Sequence, residues 1–249
     1  MPTSIFQRVI FAAVACSGPL CAQEAASAKT VLDRSVAAIG GKARLQAITS
    51  RVMTGEMEYT GVGQRGPSAP ITMVWVAPDK LHQTIHAPFG QIERTVVGSR
   101  GWGRHPQTGR RDLTPEELAE ARRDSALYNP AIWIHEYREL VSEGRKQVDG
   151  VSVDVLRGTL PDGRIERLYF SSQSHLPVRV DMWEEGPEGE RTPGESYLAR
   201  FFLSDYKATD GITVPYTVRR ERPNSVAIYK WKTVRHNGEI DAAVFSEVK

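Results

Sequence analysis

Two stretches decide how this chain folds: "KQVDGVSVDVLRG" at 146–158 and "SDYKATDGITVPYTVRR" at 204–220. Each sets an Asp-Gly pair between alternating residues. A two-residue hairpin turn needs positive φ, which Gly adopts freely and Asp or Asn tolerates. Asp149-Gly150, Asp162-Gly163, Asp210-Gly211 and Asn237-Gly238 therefore read as four tight turns between neighbouring antiparallel strands. The flanking residues assign faces. Ile212, Val214, Tyr216 and Val218 alternate with Thr213, Pro215, Thr217 and Arg219. Val151, Val153 and Val155 alternate with Ser152, Asp154 and Leu156; Val178, Val180 and Met182 alternate with Arg179 and Asp181. Such strands carry one apolar and one polar face. Phe201 and Phe202 fall on opposite faces, so the strand at 198–206 reads as covered on both sides.

The same period of two runs upstream, with strands expected near 51–60, 71–77, 80–86, 91–97 and 101–105. Pro70, Pro78, Pro88 and the glycine-rich stretch at 61–70 punctuate them. "GSRGWG" (98–103) is a turn between strands, since no helix follows it to build a phosphate loop. Helical spacing covers 24–39, with Val31, Leu32, Val36 and Ile39 on one stripe, and Gly40-Gly41 ends it. "KARLQAI" adds a short helical piece carrying Leu45 and Ile48. In "LTPEEL", Thr114 caps, Pro115 takes the first helical position, Glu117 completes a capping box, and Leu113 and Leu118 form a staple for a helix reaching residue 126. "NPAIWIHEYREL" (129–140) starts again on Asn129 and Pro130, with Ile132, Trp133, Tyr137 and Leu140 on one broad face. The polar stretch 184–195 reads as a long hairpin connection.

This inventory is mainly β (α+β): one large antiparallel sheet of about 11 strands with about three helices. Such a sheet must bury its apolar face. Curling into an open half-barrel lidded by the helices leaves an apolar interior suited to acyl chains. Trp75, Trp133, Tyr137, Val214 and Tyr216 are the candidate cavity residues, each equally able to serve as plain core filling.

Composition is that of a globular protein, with 25% charged and 40% hydrophobic residues and a net charge of +2, which argues against nucleic-acid binding. Residues 1–22 read as a signal peptide cleaved after Ala22: Arg8, an apolar run from Val9 to Cys16, then Gly-Pro and Leu20-Cys21-Ala22. The run is too short to span a bilayer, and the mature chain is expected to carry no integral membrane span. Both cysteines, Cys16 and Cys21, lie in this segment, so the mature chain has no thiol for a disulfide, metal site or nucleophile. Leu20 is too large for lipidation at Cys21; Ala13-Val14-Ala15-Cys16 fits better, though the apolar run before it is short.

Catalytic signatures are missing. His82, His86, His105, His135, His175 and His236 are scattered, and His135-Glu136 lacks the second His of a zinc helix. There is no Gly-x-Ser-x-Gly elbow. No enzyme activity, metal or cofactor is expected.

The order of helix, "AIGGKARLQAI", "GW", helical insertion, "LYF…LPVR", "DYKATDGITVPYTV" and "KWKTVRHNGEIDAAVF" resembles the LolA-like outer-membrane lipoprotein-sorting proteins across about 28–245. The resemblance implies one half-barrel domain over 23–249, with the helical insertion at about 113–140. It also implies a periplasmic location, with lipid or lipoprotein acyl chains as partners. The alternative on the same fold is an envelope protein-interaction or sensor module without lipid cargo, recruiting envelope proteins through its edge strands. A hydrolase is the weaker third reading. No basic residue aligns with the polar contact that family carriers make inside the cavity.

Overall fold

A computed structural model describes residues 26–61, 64–128, 135–185 and 196–246. The segment expected to be a signal peptide, both cysteines, Trp133 and most of the 184–195 connection lie outside the described residues, as does the 129–134 part of the expected fourth helical piece.

Helix α1 (Ala28–Ile39) opens on Ser27, whose hydroxyl accepts from the Thr30 N–H at 3.2 Å. It closes with the Gly41 N–H on the Val36 carbonyl (2.8 Å) and the Gly40 N–H on that of Ala37 (3.2 Å), the Schellman pattern. Gly40 has φ 142, and a Cβ there would stand 2.6 Å from the Gly211 carbonyl oxygen, so α1 can seat on the 210–211 hairpin only with glycine at this point. Helix α2 (Lys42–Gln46) follows at once.

The strands are β1 (Ser50–Gly61), β2 (Gln64–Arg65), β3 (Ala69–Val76), β4 (Lys80–Ala87), β5 (Gly90–Val97), β6 (Arg100–His105) and β7 (Gly109–Asp112). Helix α3 (Pro115–Ala126) interrupts them. The second run is β8 (Glu139–Val148), β9 (Val151–Thr159), β10 (Ile165–Ser171), β11 (Pro177–Glu185), β12 (Ser196–Thr209), β13 (Ile212–Arg222) and β14 (Ser225–His236), then a 3-10 turn at Ala242–Phe245. All strands join one antiparallel sheet in the order β7-β6-β5-β4-β3-β1-β14-β13-β12-β11-β10-β9-β8, with β2 paired to β1. β7 and β8 are its edges, so the sheet is not closed. Side chains from β1, β3 to β5 and β9 to β14 meet α1, α2 and α3 in a single apolar cluster. The sheet is therefore an open barrel that curls around its core with the helices as a lid. Among the described residues no helix is long and apolar enough to cross a membrane.

Asp149-Gly150 (φ 50 and 78) and Asp210-Gly211 (φ 54 and 76) have the paired positive φ of tight hairpin turns. At Asp162-Gly163 only Gly163 is positive, and its N–H reaches the Leu160 carbonyl at 2.9 Å, as in a type I turn with a following bulge. Asn237-Gly238 is no hairpin. Asn237 ends β14, and its amide ties down the chain between α2 and β1: Oδ1 accepts from the Thr49 N–H (2.8 Å) and Nδ2 donates to the Ala47 carbonyl (2.9 Å).

The expected helix through residue 140 does not hold at its end. Glu139 and Leu140 already pair with Thr159 and Gly158 as the start of β8. A free sheet edge beside β9 outweighs helical spacing there. Faces also differ in places. Val153 and Val155 lie on the convex face with Tyr169 and Val178, while Leu156 enters the main core. Phe202 is covered on the convex face by the guanidinium groups of Arg179 and Arg219, 5.5 and 5.3 Å from its ring centre, while Phe201 is in the core.

Candidate functional site

Thr114 and Glu117 form the capping box that starts α3, with the Thr114 N–H on the Glu117 carboxylate (2.9 Å) and the Glu117 N–H on the Thr114 hydroxyl (3.3 Å). From there α3 crosses the open side of the sheet. Where α2 and α3 approach β1, β3, β4 and β5, a cavity of about 290 Å³ is left. Leu45, Ile48, Trp75, Leu81 and Val96 supply its apolar wall. Asp79, Arg122 and Glu136 are exposed and mark its mouth, beside the half-buried Lys80. The volume falls just short of the range for drug-sized ligand sites, which begins at about 300 Å³.

Arg51 is the buried polar member of the lining, only 5% exposed. Its Nε–H donates to His236 Nε2 at 3.2 Å, and its guanidinium stands 5.2 Å from the Tyr128 ring centre. The Tyr128 hydroxyl in turn accepts from Trp231 Nε1 at 3.1 Å. Burial lowers the Arg51 pKa to about 10, which still leaves it protonated at neutral pH. An arginine Nε can only donate, so His236 presents a lone pair at Nε2 and carries its proton at Nδ1. That Nδ1 lies 3.4 Å from Asp210. Burial and the adjacent Arg51 charge hold the His236 pKa below its ordinary value, with Asp210 opposing them. Among the described residues no carboxylate pairs with Arg51.

A second polar layer lies under α3. Arg222 bonds Glu120 of α3 (2.9 Å) and Glu184 of β11 (2.8 Å). Arg220 stands 3.6 Å from the same Glu120, and Arg94 of β5 3.9 Å from it. Arg123 donates to Glu166 and, at 3.1 Å, to the Trp183 carbonyl. These charges continue the inward-facing register of their strands: Arg220 and Arg222 follow Ile212, Val214, Tyr216 and Val218, and Glu184 follows Val180 and Met182. The interior is thus apolar against α1 and ionic under α3. Among the described residues no group of three or more His, Cys, Asp or Glu side chains is placed to hold a metal.

No protein-family model matches the chain, and no curated protein matches it by sequence. Solved structures do match. A LolA superfamily protein from Nitrosomonas europaea aligns over 90% of this chain and 99% of its own, with 12% identity and a TM-score of 0.60. The chain has the LolA-like fold. A DUF1329 family protein from Desulfovibrio piger aligns over 88% of this chain and 97% of its own (16% identity, TM-score 0.60). An outer membrane lipoprotein-sorting protein domain from Vibrio parahaemolyticus covers the same shares (14% identity, TM-score 0.57).

Within the LolA-like half-barrel, the five residues expected at the cavity separate. Trp75 lines it. Val214 (1% exposed) and Tyr216 (9% exposed) are packed in the main core, and the Tyr216 hydroxyl is within 2.9 Å of that of Thr209. Tyr137 lies flat on Gly158, where a Cβ would come within 2.4 Å of its ring, and its hydroxyl donates to Glu166 at 2.9 Å. Trp133 is outside the described residues. The sequence reading missed Arg51, and with it Leu45, Ile48, Leu81 and Val96 as wall. A signal existed: in a strand with period two, Arg51 shares a face with Met53, so a cation was registered on the core side.

Proposed function

We propose that this protein binds an acyl chain of a lipid or lipoprotein non-covalently and carries it through the periplasm, with outer-membrane lipoprotein sorting as the setting. The cavity between α2, α3 and the strands β1 and β3 to β5 is the observation that carries this. Leu45, Ile48, Trp75, Leu81 and Val96 form an oily wall under a helical lid. The LolA-like fold and the lipoprotein-sorting name of the Vibrio neighbour support it. The signal-peptide pattern at 1–22 supports the location.

Burial of a methylene group is worth about 0.8 kcal/mol, so eight methylenes supply about 6 kcal/mol before the cost of association. No catalytic group is required for useful affinity. The cavity volume suits a single chain rather than several.

Delipidated protein titrated with a fluorescent fatty acid should bind one equivalent at micromolar concentration, and unlabelled lipid should displace it. Trp75→Ala should weaken binding about 10-fold, the loss of one large apolar contact. No displaceable binding at micromolar probe overturns the proposal.

A further inference from the structure

We infer that the buried end of the cavity is an anion site, and that its ligand is a single-chain amphiphile whose carboxylate or phosphate head is held by Arg51. The inference rests on the acyl-chain reading above and narrows its ligands to a lipid with a charged head, in place of a lipoprotein acyl chain.

A cation taken out of water is costly unless it is paired. Arg51 is buried, yet its neighbours do not neutralise it. His236 offers a lone pair but no charge, and Tyr128 offers a ring face. Asp210 is reached only through the imidazole. The hydrogen bond at Nε fixes the guanidinium plane and leaves the terminal nitrogens without a partner among the described residues. Those nitrogens form the fork that accepts a carboxylate or phosphate in two parallel charge-assisted bonds. The apolar wall of the same cavity accommodates the tail. At the mouth the bases Lys80 and Arg122 are balanced by Asp79 and Glu136, so Arg51 dominates the buried end. An ester- or amide-linked acyl chain has no charge to offer it.

Isothermal titration of delipidated protein with three ligands of one tail length separates the possibilities: dodecanoate, dodecyl phosphate and dodecanol. Both anions should bind at least ~10-fold tighter than the alcohol, the gain of a charge-assisted pair. In Arg51→Met the preference for the anions should vanish, so that all three ligands bind that variant alike. Acetate and inorganic phosphate should not compete at millimolar concentration. Should they compete as well as dodecanoate, the site is one for small anions and the amphiphile claim falls. If acid and alcohol bind the native protein equally, recognition of the head is wrong while the acyl-chain reading stands. If none of the three binds, both fall. The three ligands on the native protein distinguish these outcomes even where Arg51→Met does not fold.

Discussion

Glu166 is 1% exposed and holds three donors at once. It accepts from Arg123, from the Trp183 N–H at 2.8 Å and from the Tyr137 hydroxyl at 2.9 Å. Burial and the adjacent Glu166 charge both push the Tyr137 phenol far above its ordinary value, so it stays a donor at any physiological pH. One carboxylate thus joins α3, β11 and the segment leading into β8. Glu166→Gln keeps the shape but removes the charge. It leaves the Arg123 cation unpaired and turns an amide N–H₂ toward a donor. We expect a loss of about 2–4 kcal/mol in urea unfolding. Glu58→Gln, at an exposed ion pair with Lys230, should change little. A Glu166→Gln protein as stable as the native one would show that this knot is not structural. Period-two register points Glu166, Glu184 and Arg220 inward beside Leu168, Met182 and Val218, just as it points Arg51 inward beside Met53. Which of these charges pair with one another is not in the spacing, because it depends on where α3 lies.

At the scale of elements, α3 is a lid fastened on two sides. Glu120 reaches Arg94 on β5 and Arg220 and Arg222 on β13, and Arg122 donates to the Gly98 carbonyl at 2.6 Å. Among the described residues its buried apolar side chains are Leu118 and Ala121, with Leu127 and Tyr128 just beyond its end. The ionic layer adds to that apolar fixation. Glu120→Ala leaves Arg220 and Arg222, like charges on one strand, sharing Glu184. Hydrogen exchange of α3 amides should then speed up by an opening free energy about 3 kcal/mol lower, with β12 and β13 unchanged. Unaltered α3 exchange would locate its fixation elsewhere. The elements themselves were largely readable. Hairpins at 149–150 and 210–211 announce themselves because few residues tolerate positive φ, and the capping box at 114–117 because its chemistry is local. The edges were not. β7 is "GRRD", four exposed residues with no apolar alternation, and β8 begins inside a stretch spaced like a helix. Both owe their pairing to the hairpin partner beside them in the chain, β6 for β7 and β9 for β8, rather than to their own pattern.

Across the whole molecule, two histidines tie stability to pH in the same direction. His82 lies on β4 with both ring nitrogens 2.9 Å from hydroxyls, those of Thr95 and Thr84, and burial lowers its pKa. His236 ends β14 between Arg51 and Asp210, and burial and the Arg51 charge lower its pKa too. A histidine whose folded pKa is depressed binds its proton more readily when unfolded. Its contribution is complete above the ordinary value of 6.5 and is lost as pH falls below that toward the folded value. The depressed carboxylates, such as Glu117 beside Arg111 and Glu143 beside Lys146 and Arg167, obey the same sign but act lower. Their stability is in place above the ordinary 4.5 and disappears beneath it. The two classes therefore separate. Urea midpoints measured from about pH 7.5 to about pH 5 should fall, and a His82→Asn, His236→Gln double variant should flatten that first decline without touching the acid step. A native midpoint that stays level through this window would mean that the fold does not depress either imidazole, and the lone-pair support His236 gives Arg51 would then be lost already as pH falls through the ordinary 6.5.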